Sequence, residues 1–359
     1  FFFFFFNQLT ALNVQNGNNS NFTGLLALNN PALICIQVDN VAYSNTNWSA
    51  GKDAGATFSL TCPLSTPAAA LNFDGANDRA VVTNSNVNLA NRSFSVEMWL
   101  KRNSTNTYDI AFSQGDPGNP ANNTALHIGF TSGNDFIFNF YNDDLYVPDV
   151  NDGNWHHWAC TYDNATKAKK VYKDGVLVGQ NTATIGFIGF GGDDNLYIGD
   201  ASYGETFNGN KFDGNIDELR VWGSVRTQAE IMASMNCELP IPLYPNLEAY
   251  YPFNQGIADG NNALVTSLLD QSGYSNSATL FNFALTGPTS NWVAPGGVVT
   301  GTVCCGIISL TTSASDSLIV CLESGQTSGS ITLNATGGTA PYTFGGDPTT
   351  NLTTGNYTY

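Results

Sequence analysis

Three sorts of residue in this sequence could do chemistry, and each needs a particular setting to do it. Histidine titrates near neutrality, so the pair in Trp155-His156-His157-Trp158 could act as acid or base. The segment reads as a strand, however, and alternation sends one histidine to each face, which favours packing for both. A serine nucleophile would need an elbow such as Gly-x-Ser-x-Gly, and the sequence has none. Amides, carboxylates and aromatic rings gather in Tyr141-Asn142-Asp143-Asp144-Leu145-Tyr146, Gly191-Gly192-Asp193-Asp194-Asn195 and Tyr203-Gly204-Glu205-Thr206-Phe207. Rings of this kind stack on the C–H faces of sugars while amides and carboxylates read hydroxyls. Tyr141, Asn142, Asp143, Asp144, Tyr146, Asp193, Asp194, Asn195 and Tyr203 are therefore the candidate ligand-binding residues. The plainer reading is that such loops are solvated turns.

Composition narrows the choice of partner. Lys and Arg total 12 against 29 Asp and Glu, a formal charge of −17, which argues against nucleic acid and anionic membrane surfaces. Hydrophobic residues make up 42% of the 359, enough for buried cores in two or three domains. Charged residues are scarce while Asn, Thr, Ser and Gly are abundant and long helical patterns are rare, the make-up of secreted all-β proteins. Cysteines stand at 35, 62, 160, 237, 304, 305 and 321, with no Cys-x-x-Cys spacing and only three histidines, so disulfides are expected before zinc. Cys35 and Cys62 bracket a short unit, Cys237 has Cys304 and Cys305 as alternatives, and Cys160 sits in an apolar strand as a buried thiol. The opening Phe1–Phe6 run lacks the basic residues and cleavage chemistry of a signal peptide, and no stretch reads as a membrane span.

The elements that must position these groups are mostly strands. Leu9-Thr10-Ala11-Leu12-Asn13-Val14-Gln15-Asn16, Phe22 to Asn30 and Leu33 to Asn40 share an apolar-x-x-apolar-x-apolar-x-Asn pattern. Each copy offers a short strand whose asparagine can bond the turn of the next coil. After a Ser/Thr/Pro/Ala linker at Pro63 to Pro67, alternation lengthens into sandwich strands. Phe94, Val96, Met98 and Leu100 form one apolar face, with Ser95, Glu97 and Trp99 on the other. Asp174-Gly175 between Val171-Tyr172-Lys173 and Val176-Leu177-Val178 predicts a type I′ hairpin. Thr227 with Glu230 three residues on predicts the start of a helix.

The motifs ALNFDGANDRAVV, SFSVEMWLKR, NWHHWACTYD, KVYKDGVLVG, LYIGD and FDGNIDELRVWGSVRTQAEI follow in the order of laminin G-like, pentraxin-like jelly rolls, a resemblance covering about 68 to 236. In members that bind calcium, the FDG turn and the acidic strand before the helix lie together. The resemblance therefore implies a structural calcium ion held by Asp74, Asn77, Asp78, Asp213 and Asp217. The alternative is that Asp74 and Asp78 cap a turn. Glucanases of the same fold set their carboxylates two residues apart on one strand face. In Ile216-Asp217-Glu218 the acids are adjacent and expected on opposite faces, so no catalytic residue is assigned. Leu247 to Tyr274 is similar to a segment that often begins such a domain; here it follows the helix and either adds strands or forms an appendage.

Two further resemblances frame this one. Residues 9–62 resemble the end of a leucine-rich repeat solenoid with its cap, and ITLNATGGTAPYTF with TTGNYTY resembles the SprB-type immunoglobulin-like repeat of giant adhesins in gliding Bacteroidetes. In that repeat the strand runs on to a second cysteine, so Cys321 would lack its partner and the chain would be a window on a longer protein. The expected fold class is all-β: a leucine-rich repeat end over 7–62, a concanavalin A-like jelly-roll sandwich over 63–236 with an appended segment over 237–303, and a partial immunoglobulin-like β repeat from 304 to 359. The family combination implies a non-catalytic cell-surface adhesin, exported by the type IX secretion system and used in gliding. Its expected partners are glycans or abiotic and cell surfaces, without nucleic acid and without direct membrane insertion. The alternatives are a carbohydrate-binding module region of an extracellular polysaccharide-degrading enzyme and a purely structural stalk segment.

Overall fold

The computed structural model describes residues 2–4, 9, 11–30, 33–62, 67–103, 108–191, 195–202, 211–240 and 244–304, with 317–320, 329–330, 350–352 and 355–358 beyond them. The chain divides into two compact units, Phe1–Thr302 and Val303–Tyr359. The fold is all-β apart from short helices.

At the start of the first unit, strands Ala11–Asn13, Cys35–Gln37 and Thr57–Ser59 pair in parallel, Ala11 beside Cys35 and Cys35 beside Thr57. That step falls within the about 20–29 residues of strand-bearing coil repeats. Of the repeating asparagines, Asn30 reaches back to the preceding segment, while the side chains of Asn16 and Asn40 accept from N–H groups in their own turns. Buried Asn30 donates through Nδ2 to the carbonyls of Phe4 (2.6 Å) and Ala27 (3.2 Å), and Asn19 donates to Val14 O (2.7 Å) while accepting from Asp39 N–H (2.6 Å). Leu25, Leu33, Ile36, Val38, Trp48 and Phe58 fill the interior, and a Cys35–Cys62 disulfide ties the last coil.

The sandwich consists of two eight-stranded sheets among the described residues. The first runs, in spatial order, Asp144–Val147, Phe136–Asn139, Ala125–Phe130, Asp109–Gly115, Leu196–Ile198, Arg79–Val82, Ala278–Phe281 and Ser267–Leu268. The second runs Val176–Thr182, Ala168–Lys173, His156–Asp163, Phe94–Arg102, Asp213–Trp222, Ala70–Asp74 and Trp292–Val293, with Leu247–Tyr251 also paired to Asp213–Trp222. Alternation explains the core between them: Phe94, Val96, Met98 and Leu100 face inward onto Phe112, Ile128 and Phe138 of the first sheet. Burying side chains of this size is worth about 1.5–3 kcal/mol each relative to exposure. The 247–293 segment is thus integral, since it adds strands to both sheets and buries Trp292 completely.

Local signals are realised where they were read. Asp174 and Gly175 both take positive φ (50° and 76°), as a type I′ turn requires. Thr227 and Glu230 form a reciprocal capping box on the Gln228–Ser234 helix, which lies on the outer face of the second sheet with Ile231 against Ala159 and Tyr172. In the second unit Ser317–Val320 pairs antiparallel with Gly355–Thr358, and Gly329–Ser330 with Thr350–Leu352. Cys321 and the GGTAPY segment lie outside the described residues.

Candidate functional site

The charged residues that most resemble catalytic machinery are sealed. The adjacent acids of the Asp213–Trp222 strand do not point to opposite faces, contrary to simple alternation, because a bulge intervenes. Asp217 sits opposite Trp99 and Arg220 opposite Glu97, so one extra residue is absorbed, and Glu218 takes φ 51°. Asp217, Glu218 and Arg220 consequently join Glu97 and His157 in a buried layer on the outer face. Arg220 Nη2 donates to Glu218 Oε2 (2.6 Å) and to the Cys237 carbonyl (2.6 Å), Nη1 donates to Ser234 O (2.8 Å), and Trp222 Nε1 donates to Glu97 Oε1 (2.9 Å). His157 Nε2 lies 3.5 Å from Glu97 Oε2. Burial pushes the Glu97 carboxyl up, but His157 and Arg220 outweigh it and hold the group at about 2. Asp217 goes the other way: burial and the neighbouring Glu218 charge push it well above the usual carboxylate range, while its Oδ2 accepts the Val298 N–H (3.0 Å). These groups are each about 1% exposed or less, so no substrate reaches them and the layer serves packing. The two histidines do part, with His156 half-buried between Asp174 (2.7 Å) and Asp152 (3.2 Å).

The five residues expected around a calcium ion are not all gathered. Asp74, Asn77 and Asp78 share the turn after the Ala70–Asp74 strand, and Asp213 is the register partner of Asp74. Asp217 stands four positions further along its strand, in the sealed layer. Within the turn the carboxylates already accept hydrogen bonds: Asp74 Oδ1 from the Ala76 and Asn77 N–H groups (2.8 and 3.3 Å), buried Asp78 from Asp74 N–H (3.0 Å) and the Ser290 hydroxyl (2.9 Å). Burial raises the Asp78 carboxyl to about 6. No three acidic, histidine or cysteine side chains converge on a cation position among the described residues. This donor set satisfies a turn and falls short of the about six to eight oxygens calcium takes.

Of the loop residues expected to contact a ligand, Tyr141, Asn142, Asp143, Asp144, Tyr146 and Asn195 are described. Tyr141 and Asn142 make the outermost turn of the first sheet, both with positive φ (55° and 63°), and Asn142 Nδ2 donates to Asn122 Oδ1 (2.8 Å). Asp143 is withdrawn beneath this turn: its Oδ2 accepts the Thr184 N–H and hydroxyl (2.7 and 2.8 Å) and its Oδ1 meets Lys169 Nζ (3.1 Å). Asp144 accepts the Tyr146 hydroxyl (2.7 Å), and Tyr146 is half exposed. Asn195 accepts the Asn84 N–H through Oδ1 (2.9 Å). Asp193, Asp194 and Tyr203 lie outside the described residues.

Sequence reasoning missed a nearby cleft, which none of the candidate ligand-binding residues lines. A run of backbone hydrogen bonds connects the Tyr141 turn at the sandwich rim to it, from Asn123 N–H to Tyr141 O (2.9 Å), from Ile188 N–H to Asn123 O (3.0 Å) and from Asn91 N–H to Phe187 O (2.8 Å). Between the last two segments opens a cavity of about 290 Å³ lined by Asn88, Asn91, Gln114, Phe187, Phe190 and Gly191 among others, none of them charged. Gln114 braces one wall by accepting Leu89 N–H (2.9 Å) and donating to Val87 O (2.8 Å). Gly189 is forced by its surroundings: φ is 70°, and a Cβ there would lie 2.6 Å from Ala90 Cβ. The Phe190 ring is left 44% exposed beside the cleft. The available signal was Phe187-Ile188-Gly189-Phe190-Gly191, an aromatic loop spaced by glycines that reads as a buried strand.

Residues 74–232 match the family model of the Concanavalin A-like lectin/glucanases superfamily. This part of the chain is a concanavalin A-like, laminin G-like jelly roll. Among solved structures the chain is similar to a Bacteroides ovatus protein described as a candidate carbohydrate binding protein, at 19% identity and TM-score 0.47, covering 64% of this chain and 63% of that one. It is also similar to the CBM40 module of a Ruminococcus gnavus sialidase bound to α2,3-sialyllactose (17% identity, TM-score 0.39, 46% of this chain and 95% of that). A third is a pentraxin from Limulus polyphemus (14%, TM-score 0.37, 49% and 85%). The chain therefore spans less than two thirds of the length of the Bacteroides protein. No curated protein matches the chain.

Proposed function

We propose that this chain is a non-catalytic, extracellular glycan-binding segment of a bacterial surface adhesin. The observation that carries the reading is the uncharged rim cleft, where amides of Asn88 and Asn91 stand beside the exposed ring of Phe190. An apolar ring for a sugar's C–H face, with nearby amides for its hydroxyls, is the pairing that sugars require. The sealing of Glu97, Asp217 and Glu218 supports a binding role over hydrolysis. Disulfide-bonded Cys35, Cys62, Cys237 and Cys304 support an oxidising, extracellular setting. No helix among the described residues is long and apolar enough to cross a membrane.

The finer parts of the proposal rest on sequence resemblance. A leucine-rich repeat identity for the parallel coils, a SprB-type repeat after residue 304, type IX export and a gliding role belong here. The jelly roll would be a gripping module in a longer fibre. A calcium ion at the Asp74–Asp78 turn is part of the proposal only as an addition to the hydrogen bonds there, with Asp213 as the further ligand and Asp217 excluded. Calcium titration after chelation must then raise the melting temperature by linkage; an unchanged melt assigns the turn to its own hydrogen bonds. For the central claim, a glycan array probed with the full chain is expected to give neutral oligosaccharide hits that disappear in Phe190→Ala. Silence with folded protein would leave the structural-stalk reading.

A further inference from the structure

The outer face of the second sheet holds a different cavity, of about 420 Å³, built from strands that contribute nothing to the rim cleft. Its floor includes Thr161 and Lys170, a cross-strand pair, and the pair Tyr172 and Leu177 beside them. Val225 to Gln228, the chain leading into the Gln228–Ser234 helix, forms a wall. The volume is in the range of small-ligand sites, about 300–1,000 Å³.

Charge distinguishes this cavity. Acids outnumber lysine and arginine by 29 to 12, and buried cations are consumed by them: Lys169 by Asp143, Lys211 by Asp200, Arg102 by Asp109 and Arg220 by Glu218. The Lys170 side chain makes no hydrogen bond or ion pair among the described residues. Arg226 is the second cation on the wall; it is 7% exposed, its Nη1 donates to Glu230 (3.1 Å), and its Nε has no hydrogen-bond partner among the described residues. Asp163 also lines the cavity, with its carboxylate engaged by Ala165 N–H (2.9 Å) and the hydroxyls of Thr166 (2.8 Å) and Ser93 (3.5 Å). An unspent lysine beside the exposed apolar side chains of Leu177 and Val225 is the complement of a sugar ring that carries an anionic group.

We propose that this cavity binds an anionic saccharide unit, its carboxylate or sulfate on Lys170 and its ring against the exposed side chains of Leu177 and Val225. The inference goes beyond the rim reading and does not depend on it. The uncharged rim suits neutral sugars, whereas this cavity requires charge.

The test is titration calorimetry of the full chain with tetragalacturonate, a chondroitin sulfate tetrasaccharide and neutral cellotetraose. At least one charged probe should bind, weaken as salt is raised, and lose about tenfold or more in affinity in Lys170→Met. Phe190→Ala at the rim should leave that binding unchanged, so that failure of one site is told apart from failure of the other. Lys170 is partly exposed, and an unchanged melting curve for Lys170→Met would show that it folds. The proposal is overturned if neither charged probe binds, if Lys170→Met binds them like the wild type, or if cellotetraose binds here equally well.

Discussion

Truncating Glu97 would strand Arg220 in the sealed layer without one of its carboxylates, and uncompensated buried charge costs about 3–5 kcal/mol. Glu97→Ala is therefore expected to lower unfolding free energy by that order in a denaturant titration. A loss under about 1 kcal/mol would mean that the layer is better solvated than its burial shows. The pH dependence has a definite sign. The folded Glu97 carboxyl lies at about 2, below its ordinary value of 4.5, so its contribution is present above pH 4.5 and is lost as pH falls toward 2. By linkage the loss is roughly 3 kcal/mol, and the difference in acid unfolding between wild type and Glu97→Gln isolates it from the other carboxylates. This layer was only half legible in the sequence. Alternation correctly put Glu97 on the face opposite Phe94 and parted the two histidines, whereas the bulge at Glu218 left no local trace and reversed the expectation for Asp217 and Glu218.

Elements with short-range signals were the ones the sequence displayed. The Asp174-Gly175 turn and the Thr227–Glu230 capping box are written in residues a few positions apart, and both form. Thr227→Ala should cost about 1 kcal/mol, read as a lowered denaturant midpoint with unchanged slope. No change would show that tertiary packing of Ile231 alone holds the helix. The rim cleft could not be read in this way, because Asn91 and Ile188 are 97 positions apart and meet only after both sheets assemble. Gly189→Ala tests that element directly. With φ at 70° and Ala90 Cβ at 2.6 Å, an added methyl must displace one cleft wall, so glycan affinity should fall together with about 1 kcal/mol or more of stability. Retained affinity with full stability would show that the cleft is not the binding element.

At the scale of the molecule, the lesson of the 237–302 segment is that module boundaries in a sequence are not boundaries in space. Residues after the helix return to supply Leu247–Tyr251 and Trp292–Val293 to one sheet and Ala278–Phe281 to the other. Truncation at residue 236 should therefore expose the Ala70–Asp74 strand edge and the core around Phe73. Hydrogen exchange on a series of progressively shortened chains would show loss of protection in both sheets, and a native-like pattern at 236 would contradict the assignment of those strands.

Whether this jelly roll grips sugar at an uncharged rim and leaves it intact is tested most directly by titrating wild type and Phe190→Ala with a neutral oligosaccharide, followed by chromatography of the recovered sugar. The wild type should bind saturably, Phe190→Ala should bind at least about tenfold more weakly, and the sugar should be unchanged afterwards. Equal binding by both proteins, or shortened sugar in the recovered sample, would contradict that role.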